Sequence, residues 1–237
     1  DVLGYNKRFA KLYPFLIKPW KKYIKEAKVV TTPSQFLQNE IKKITQDGKF
    51  VVVPNGIDPD KFKPLKKENK ILVVARLFVN KGIQDILDAL KGIDLGEWKV
   101  DIVGDGPYKE FLINKTKENG IEEKVTFHGW IDNKSDKMKE LYGKAKVFIS
   151  ASYFESFGLT ALEAMQAECY CLLSDISGYK QLDLPEESYF KVNNVSDIRK
   201  KIEKAINEDK ITKIKLFDKR YEWGNIMINY EKVLTDG

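Results

Sequence analysis

Glu155 and Glu163 lie eight residues apart in the run YFESFGLTALEAM. Ahead of them, Ala145 to Ser150 (AKVFIS) has the period of a strand, and a helical pattern begins at about Gly158. Glu155 is therefore expected in a strand-to-helix loop, and Glu163 more than a turn into the helix. A helix N-terminus presents unpaired backbone N–H groups and a partial positive charge, and so suits a phosphate. A carboxylate at that rim and a second on the helix would flank a bound nucleotide. Glu163 stands between Leu162 and Ala164, in a helix apolar enough to be buried. A buried carboxylate is costly unless it is paired or hydrogen-bonded, and sugar hydroxyls would supply such bonds. The plainer alternative places Glu163 on the exposed edge of an amphipathic helix.

The elements that must position these groups alternate along the chain. Strands are expected at Val29–Thr32, Phe50–Val53, Ile71–Ala75, Lys99–Val103, Val125–His128, Lys146–Ser150, Tyr170–Ser174 and Ser188–Lys191. Helices are expected near 34–45, 82–91, 107–119, 134–143, 158–167, 196–207 and 211–235, the last broken near Glu222. Such alternation implies an α/β fold, a Rossmann-like parallel sheet with helices on both faces. Sheets of this kind bind ligands at the carboxyl ends of their strands. Arg76 and Lys81 both follow the strand ILVVA, Lys81 just before Gly82 and a helix. Lys61–Lys70 reads as a charged, solvated connector.

The segments VVVPNGID (51–58), ILVVARLFVNKG (71–82), VDIVGDGP (100–107) and VTFHGW (125–130) precede ESFGLTALEAM in order. Together they resemble the C-terminal half of the family-4 retaining glycosyltransferases, which have the GT-B fold. The resemblance runs from about Val29 to the C-terminus. It implies transfer of a hexose from a nucleotide diphosphate sugar to an acceptor hydroxyl with retention of configuration. It makes Arg76 and Lys81 the pair that stabilises the leaving diphosphate, and places Glu155 against the transferred sugar. It gives Glu163 the ribose hydroxyls. Phe157, Gly158 and Leu159 would meet the phosphates, Ser156 would be a further donor contact, and Gly129 and Trp130 would meet the base. It implies no metal and no cofactor beyond the donor substrate.

By the same resemblance, residues 1–53 are the last elements of an N-terminal acceptor domain, supplied in cis or as a separate chain. Residues 54–220 are the donor domain, and 221–237 a crossover helix. Two departures stand out. Glu168-Cys169-Tyr170 replaces the family's Gly-Pro turn, and Ser177-Gly178 stands where two glycines are common. A non-catalytic nucleotide-sugar-binding or assembly module, or another GT-B enzyme such as a sugar phosphorylase or epimerase, remains open at this point.

Composition narrows the field. The 237 residues, 43% hydrophobic, suffice for one good core or one domain and part of another. No run of 18 apolar residues occurs, so no membrane-spanning helix is expected. Residue 1 is Asp and no signal pattern follows, so the chain is read as a processed or trimmed piece. Cys169 and Cys171 are expected on opposite faces of their strand, as unbridged core residues of a cytoplasmic protein. His128, the single histidine, is expected to be packed or hydrogen-bonded and to hold no metal. Residues 1–28 hold eight basic residues against Asp1 and Glu26, which accounts for the whole net charge of +6. Interleaved with aromatics and broken or kinked near Pro14 and Pro19, this stretch would suit an anionic membrane surface as well as another domain. No nucleic-acid recognition motif accompanies it.

Overall fold

A continuous apolar run in a strand can be buried on both faces, and Ile71–Val73 and Val147–Ile149 are runs of that kind. The computed structural model describes residues 13–208 and 217–235. These fall into two compact units, one within Ile57–Asp218, the other within Asp1–Gly56 and Lys219–Gly237. The second of these begins with α1 (Tyr13–Glu26), β1 (Val30–Thr32), α2 (Gln35–Lys42) and β2 (Phe50–Val52). The larger unit follows. It contains β3 (Glu68–Val74), α3 (Ile83–Leu90), β4 (Lys99–Val103), α4 (Lys109–Glu118), β5 (Val125–Gly129) and α5 (Asp136–Lys144). It continues through β6 (Ala145–Ser150), α6 (Leu159–Gln166), β7 (Tyr170–Ser174), the single turn α7 (Ser177–Lys180), β8 (Tyr189–Phe190) and α8 (Val195–Asn207). The final helix, α9 (Trp223–Thr235), belongs to the smaller unit.

In the smaller unit, β1 and β2 pair in parallel with Val30 opposite Phe50. Ser34 caps α2 by accepting the N–H of Leu37 at 3.0 Å. The expected break in the first helix is absent from the described residues. Pro14 lies in the first turn, where no N–H is required, and α1 continues through Pro19. The expected last helix is represented by a 3₁₀ turn at Lys219–Tyr221 and then α9. Residues 211–216 of that expectation, and residues 1–12 of the basic stretch, lie outside the described residues.

The larger unit is a six-stranded, all-parallel sheet in the order β5-β4-β3-β6-β7-β8. The chain therefore runs outward from β3 to β5, then returns to lay β6 on the other side of β3. Ile71, Val73, Val100, Ile102, Val147, Ile149 and Leu172 pack with Ile83, Ile86, Leu112 and Ile198 of α3, α4 and α8 in one core. The alternate residues, among them Leu72, Phe148 and Cys171, are fully buried toward the opposite layer. There α5 and α6 cover the sheet, with Tyr142 of α5 stacked on Phe148 at 6.3 Å.

Lys67 ties the far ends of those two helices together. Its amine donates to Ala145 O (2.9 Å) and Ala167 O (2.6 Å), the residues that close α5 and α6. Unpaired carbonyls at helix C-termini attract a cation, and burial lowers the pKa of this amine. The segment expected as a solvated connector is thus largely engaged. Phe62 is fully buried, Lys67 is a tether, and β3 already begins at Glu68. Glu168, after α6, occupies the left-handed region at φ 59°. It adopts the conformation that a glycine commonly supplies after a helix, at a cost on the order of 1 kcal/mol or more.

The two cysteines are free and buried, but they share one face. Residues two apart on a strand must do so. Cys169 Sγ lies against Tyr142 O and Ala145 O, and Cys171 Sγ against Ala161 O, all in the α5–α6 layer. Burial pushes the Cys169 thiol up to about 11 and the Cys171 thiol well above its usual range. The thiolate is the reactive form. Both cysteines should therefore resist alkylation by iodoacetamide at pH 8 in the folded chain and both should react in denaturant. Rapid labelling of either in the native state would contradict this packing.

Candidate functional site

Where the strand order reverses, connections from neighbouring strands leave toward opposite faces and a crevice opens at the carboxyl ends. Here the reversal lies between β3 and β6. The chain leaving β3 carries Arg76, turns through Val79–Lys81 and starts α3 at Ile83. The chain leaving β6 carries Ser152, Tyr153 and Glu155 before α6. The two loops are laced together. Tyr153 N donates to Asn80 O at 2.9 Å, and the Tyr153 hydroxyl donates to Asp85 at 2.8 Å. Burial, then the Asp85 carboxylate, pushes the Tyr153 phenol up to about 12.

Lys81 and Glu155 meet across these loops. Lys81 Nζ donates to Glu155 Oε1, which also accepts from Ser152 Oγ at 3.2 Å. Their side chains are only 14% and 22% exposed, so the pair is more than a loose surface contact. Arg76 is exposed, with its guanidinium 5.5 Å from the centre of the Phe78 ring.

The start of α6 depends on Gly158. It is the N-cap residue, at φ 91°, and a Cβ there would come within 2.6 Å of the Tyr179 ring. Phe157 is buried in the core, whereas Leu159 is half exposed. One α6 turn further on, Glu163 is 6% exposed. Burial excludes the amphipathic-edge alternative. Its Oε2 accepts from Tyr142 OH at 2.8 Å, its Oε1 accepts from Asn133 Nδ2 at 2.8 Å, and Lys61 Nζ lies 3.7 Å from Oε1.

A cleft of about 220 Å³ opens beside Glu163. Its lining includes Arg76, Gly104, Asp105, Trp130, Ile131, Asn133, Met138, Thr160 and Glu163. The structure thus brings Arg76, Trp130 and Glu163 into one space. Trp130 is 75% exposed, held at the lip after β5. Gly129 ends β5 and accepts from Gly104 N at 2.8 Å, beside the cleft but not in its lining. Lys81, Glu155 and residues 156–159 also lie outside that lining. His128 is hydrogen-bonded to Asp101 at 2.6 Å between β5 and β4, as its strand pattern suggests. No group of three or more potential metal ligands is found among the described residues.

Asn133, Thr160 and Tyr142 had no flag in the sequence. Asn133 lies in a polar loop after a strand, and that position alone could have marked it. Tyr142 is spaced as a core residue of α5, and only its partner reveals more. The Gly104-Asp105 turn, weak as a motif, does line the cleft.

Residues 56–223 match the family described as glycosyl transferases group 1. The chain belongs to this family. Among similar glycosyltransferases is an uncharacterized one of Methanocaldococcus jannaschii, 33% identical over 110 residues, 46% of this chain and 28% of that protein. The lipopolysaccharide 1,6-galactosyltransferase of Salmonella typhimurium is 32% identical over 106 residues, 44% of this chain and 29% of that one. These matches span less than a third of the relatives' own length. Among solved structures, Anabaena HepE in complex with UDP and glucose aligns with a TM-score of 0.86 at 17% identity, covering 100% of this chain and 70% of that one. The apo lipopolysaccharide outer core galactosyltransferase WaaB aligns at 0.72 and 23%, covering 89% and 62%. The fold is that of GT-B glycosyltransferase structures.

In this group 1 glycosyltransferase chain the Ser177-Gly178 departure has a local explanation. Ser177 is exposed at the start of α7, whereas a Cβ at Gly178 would collide with the backbone carbonyl of Glu155. The close approach needs only the second glycine. Gly178→Ala should lower stability by about 1–3 kcal/mol by displacing the Glu155 loop, while Ser177→Gly changes it by less than about 1 kcal/mol. Urea denaturation of both variants measures this, and equal effects would refute it.

Proposed function

We propose that the chain is the donor-binding half of a family-4 retaining glycosyltransferase, moving a hexose from a nucleotide diphosphate sugar to an acceptor hydroxyl. The observation that carries this reading is the gathering of Arg76, Trp130 and Glu163 in one cleft at the carboxyl ends of β3 and β4, with Lys81 and Glu155 paired between the loops after β3 and β6. Glu163 takes the ribose hydroxyls and Trp130, with Gly129, the base. Arg76 and Lys81 hold the diphosphate and stabilise the charge that develops as the sugar departs. The backbone N–H groups of Phe157, Gly158 and Leu159, which lead into α6, support the same phosphates, and Ser156 beside them is a further donor contact. Glu155 positions the transferred sugar. Retention follows from attack on the face that the leaving phosphate vacates. No metal or other cofactor enters this reading.

The named relatives support the substrate class. They include galactosyltransferases and a serotype-specific mannosyltransferase of Escherichia coli, and the HepE complex contains UDP and glucose. In this reading residues 1–53 close an N-terminal acceptor domain, provided in cis or by another chain, residues 54–220 bind the donor, and 221–237 form the crossover. The setting is the cytoplasm. Calorimetric titration with UDP, GDP, ADP and their sugar conjugates tests the donor site. One nucleotide should bind saturably, and Glu163→Ala and Arg76→Ala should each weaken it at least about tenfold, as expected for loss of a charged hydrogen bond. Binding of none, or binding by both variants as tight as that of wild type, overturns the assignment. Rapid sugar transfer by the isolated chain would overturn the half-enzyme part of it.

An anionic membrane surface is the second partner in this proposal. In the described part of the basic stretch, α1 exposes Phe15, Leu16 and Tyr23 beside Lys18, Lys21, Lys22 and Lys25. Exposed aromatics among lysines suit an interfacial helix. No helix among the described residues is long and apolar enough to cross a membrane. The chain should co-sediment with phosphatidylserine-containing vesicles and lose this when residues 1–28 are removed. Sedimentation unaffected by the deletion would end the idea.

A further inference from the structure

We propose that Tyr142, Asn133 and Lys61 are positioning residues that make the site selective for ribonucleotides over 2′-deoxyribonucleotides, by fixing both oxygens of Glu163. The inference rests on the nucleotide reading above and adds to it a mechanism of sugar discrimination. It begins from the burial of Glu163 between Leu162 and Ala164, both fully buried. A carboxylate so placed keeps a single orientation only if each oxygen is anchored.

The anchors come from three separate parts of the larger unit. Tyr142 is itself fully buried, tilted against Phe62 at 4.5 Å and stacked on Phe148. Its ring cannot turn without disturbing the core, so its hydroxyl is a fixed donor to Oε2 at 2.8 Å. Thr160 O lies farther from the same hydroxyl, at 3.4 Å, and a phenol has one hydrogen to give. Asn133, from the loop after β5, donates to Oε1 at 2.8 Å and also lines the cleft. Lys61 sets a cation 3.7 Å from Oε1, and the backbone around it is held by α6. Gln166, one turn beyond Glu163, accepts from Phe62 N at 2.9 Å and donates to Asp58 O at 2.8 Å. The helix that carries the carboxylate thus also clamps the segment that supplies its counter-charge.

Each carboxylate oxygen can accept more than one hydrogen bond. With one acceptor direction on each taken by the protein, both oxygens still offer acceptors on the cleft side. Two fixed acceptors on adjacent oxygens match the two donors of a vicinal cis-diol. A 2′-deoxyribose satisfies only one of them and leaves one acceptor direction of the buried carboxylate unfilled, which sites of this kind resist strongly. If the anchors are removed, the carboxylate can rotate and the discrimination falls.

The test compares whichever of UDP, GDP or ADP the chain binds with its 2′-deoxy counterpart, by calorimetry, in wild type, Tyr142→Phe, Asn133→Ala and Lys61→Met. Wild type should favour the ribonucleotide by at least about tenfold. Tyr142→Phe and Asn133→Ala should bring the ratio to within about threefold, through weaker ribonucleotide binding with the deoxy affinity little changed. A merely structural role would weaken both nucleotides alike. Asn133 is on an exposed loop, so its variant serves if Tyr142→Phe fails to fold. Equal affinities in wild type, or an unchanged ratio in the folded variants, overturn this inference while the nucleotide reading stands. Failure of wild type to bind any nucleoside diphosphate overturns both.

Discussion

Parallel strands point all their carboxyl ends the same way, and the chain must leave each end over one face of the sheet or the other. Between β3 and β6 it leaves over opposite faces, because β4 and β5 were laid down on one side before β6 filled the other. No connecting segment can cover that junction. The loop after β3 and the loop after β6 therefore face each other across a gap, and the first carries Arg76 and Lys81 while the second carries Glu155. The lacing of Tyr153 to Asn80 and Asp85 holds the gap at a fixed width. Removing the reversal would place all of these groups over different helices.

A second constraint is the carboxylate carried by α6. Its neighbours are core residues, so its solvation must come from polar side chains brought to it by other elements. Tyr142 is rigid because aromatic rings enclose it, and Lys61 because Gln166 clamps the backbone on either side of it. The cost of burying the charge is offset by bonds that also orient it. Lys67 joins the C-terminal ends of α5 and α6, the two helices that carry Tyr142 and Glu163.

The sequence revealed the strands well because their apolar runs are nearly continuous, and every expected strand is present within three residues of its expected ends. The positions of Glu155 in a loop and Glu163 inside a helix were legible for the same reason: periodicity changes between them. What was not legible depends on neighbours distant in sequence. Lys61 read as solvated because nothing nearby announces a partner 102 residues on. Pro19 read as a break or a kink, and the break is absent because a short exposed helix can lose one backbone bond and continue. Assigning Cys169 and Cys171 to opposite faces contradicted the two-residue repeat of a strand. Asn133 and Thr160 are ordinary polar residues whose importance lies wholly in where β5 and α6 deliver them. The pairing of Lys81 with Glu155 joins two residues that motif reading had assigned to separate ligand groups.

That pairing has a consequence for the ionic character of the site. A cation that waits for an anionic ligand usually holds mobile salt ions, and ligand binding returns them to solution. Lys81 instead holds a carboxylate fixed to the same protein. A diphosphate that claims Lys81 exchanges one bound anion for another, and the displaced anion stays where it is. Little salt is released at this position, so the screening that weakens surface attraction has less to act on. Arg76, exposed at the lip, is the part of the site whose pull reaches into solvent and varies with ionic strength. If both cations bind the donor as proposed, its approach and its final seating fall to two different cations.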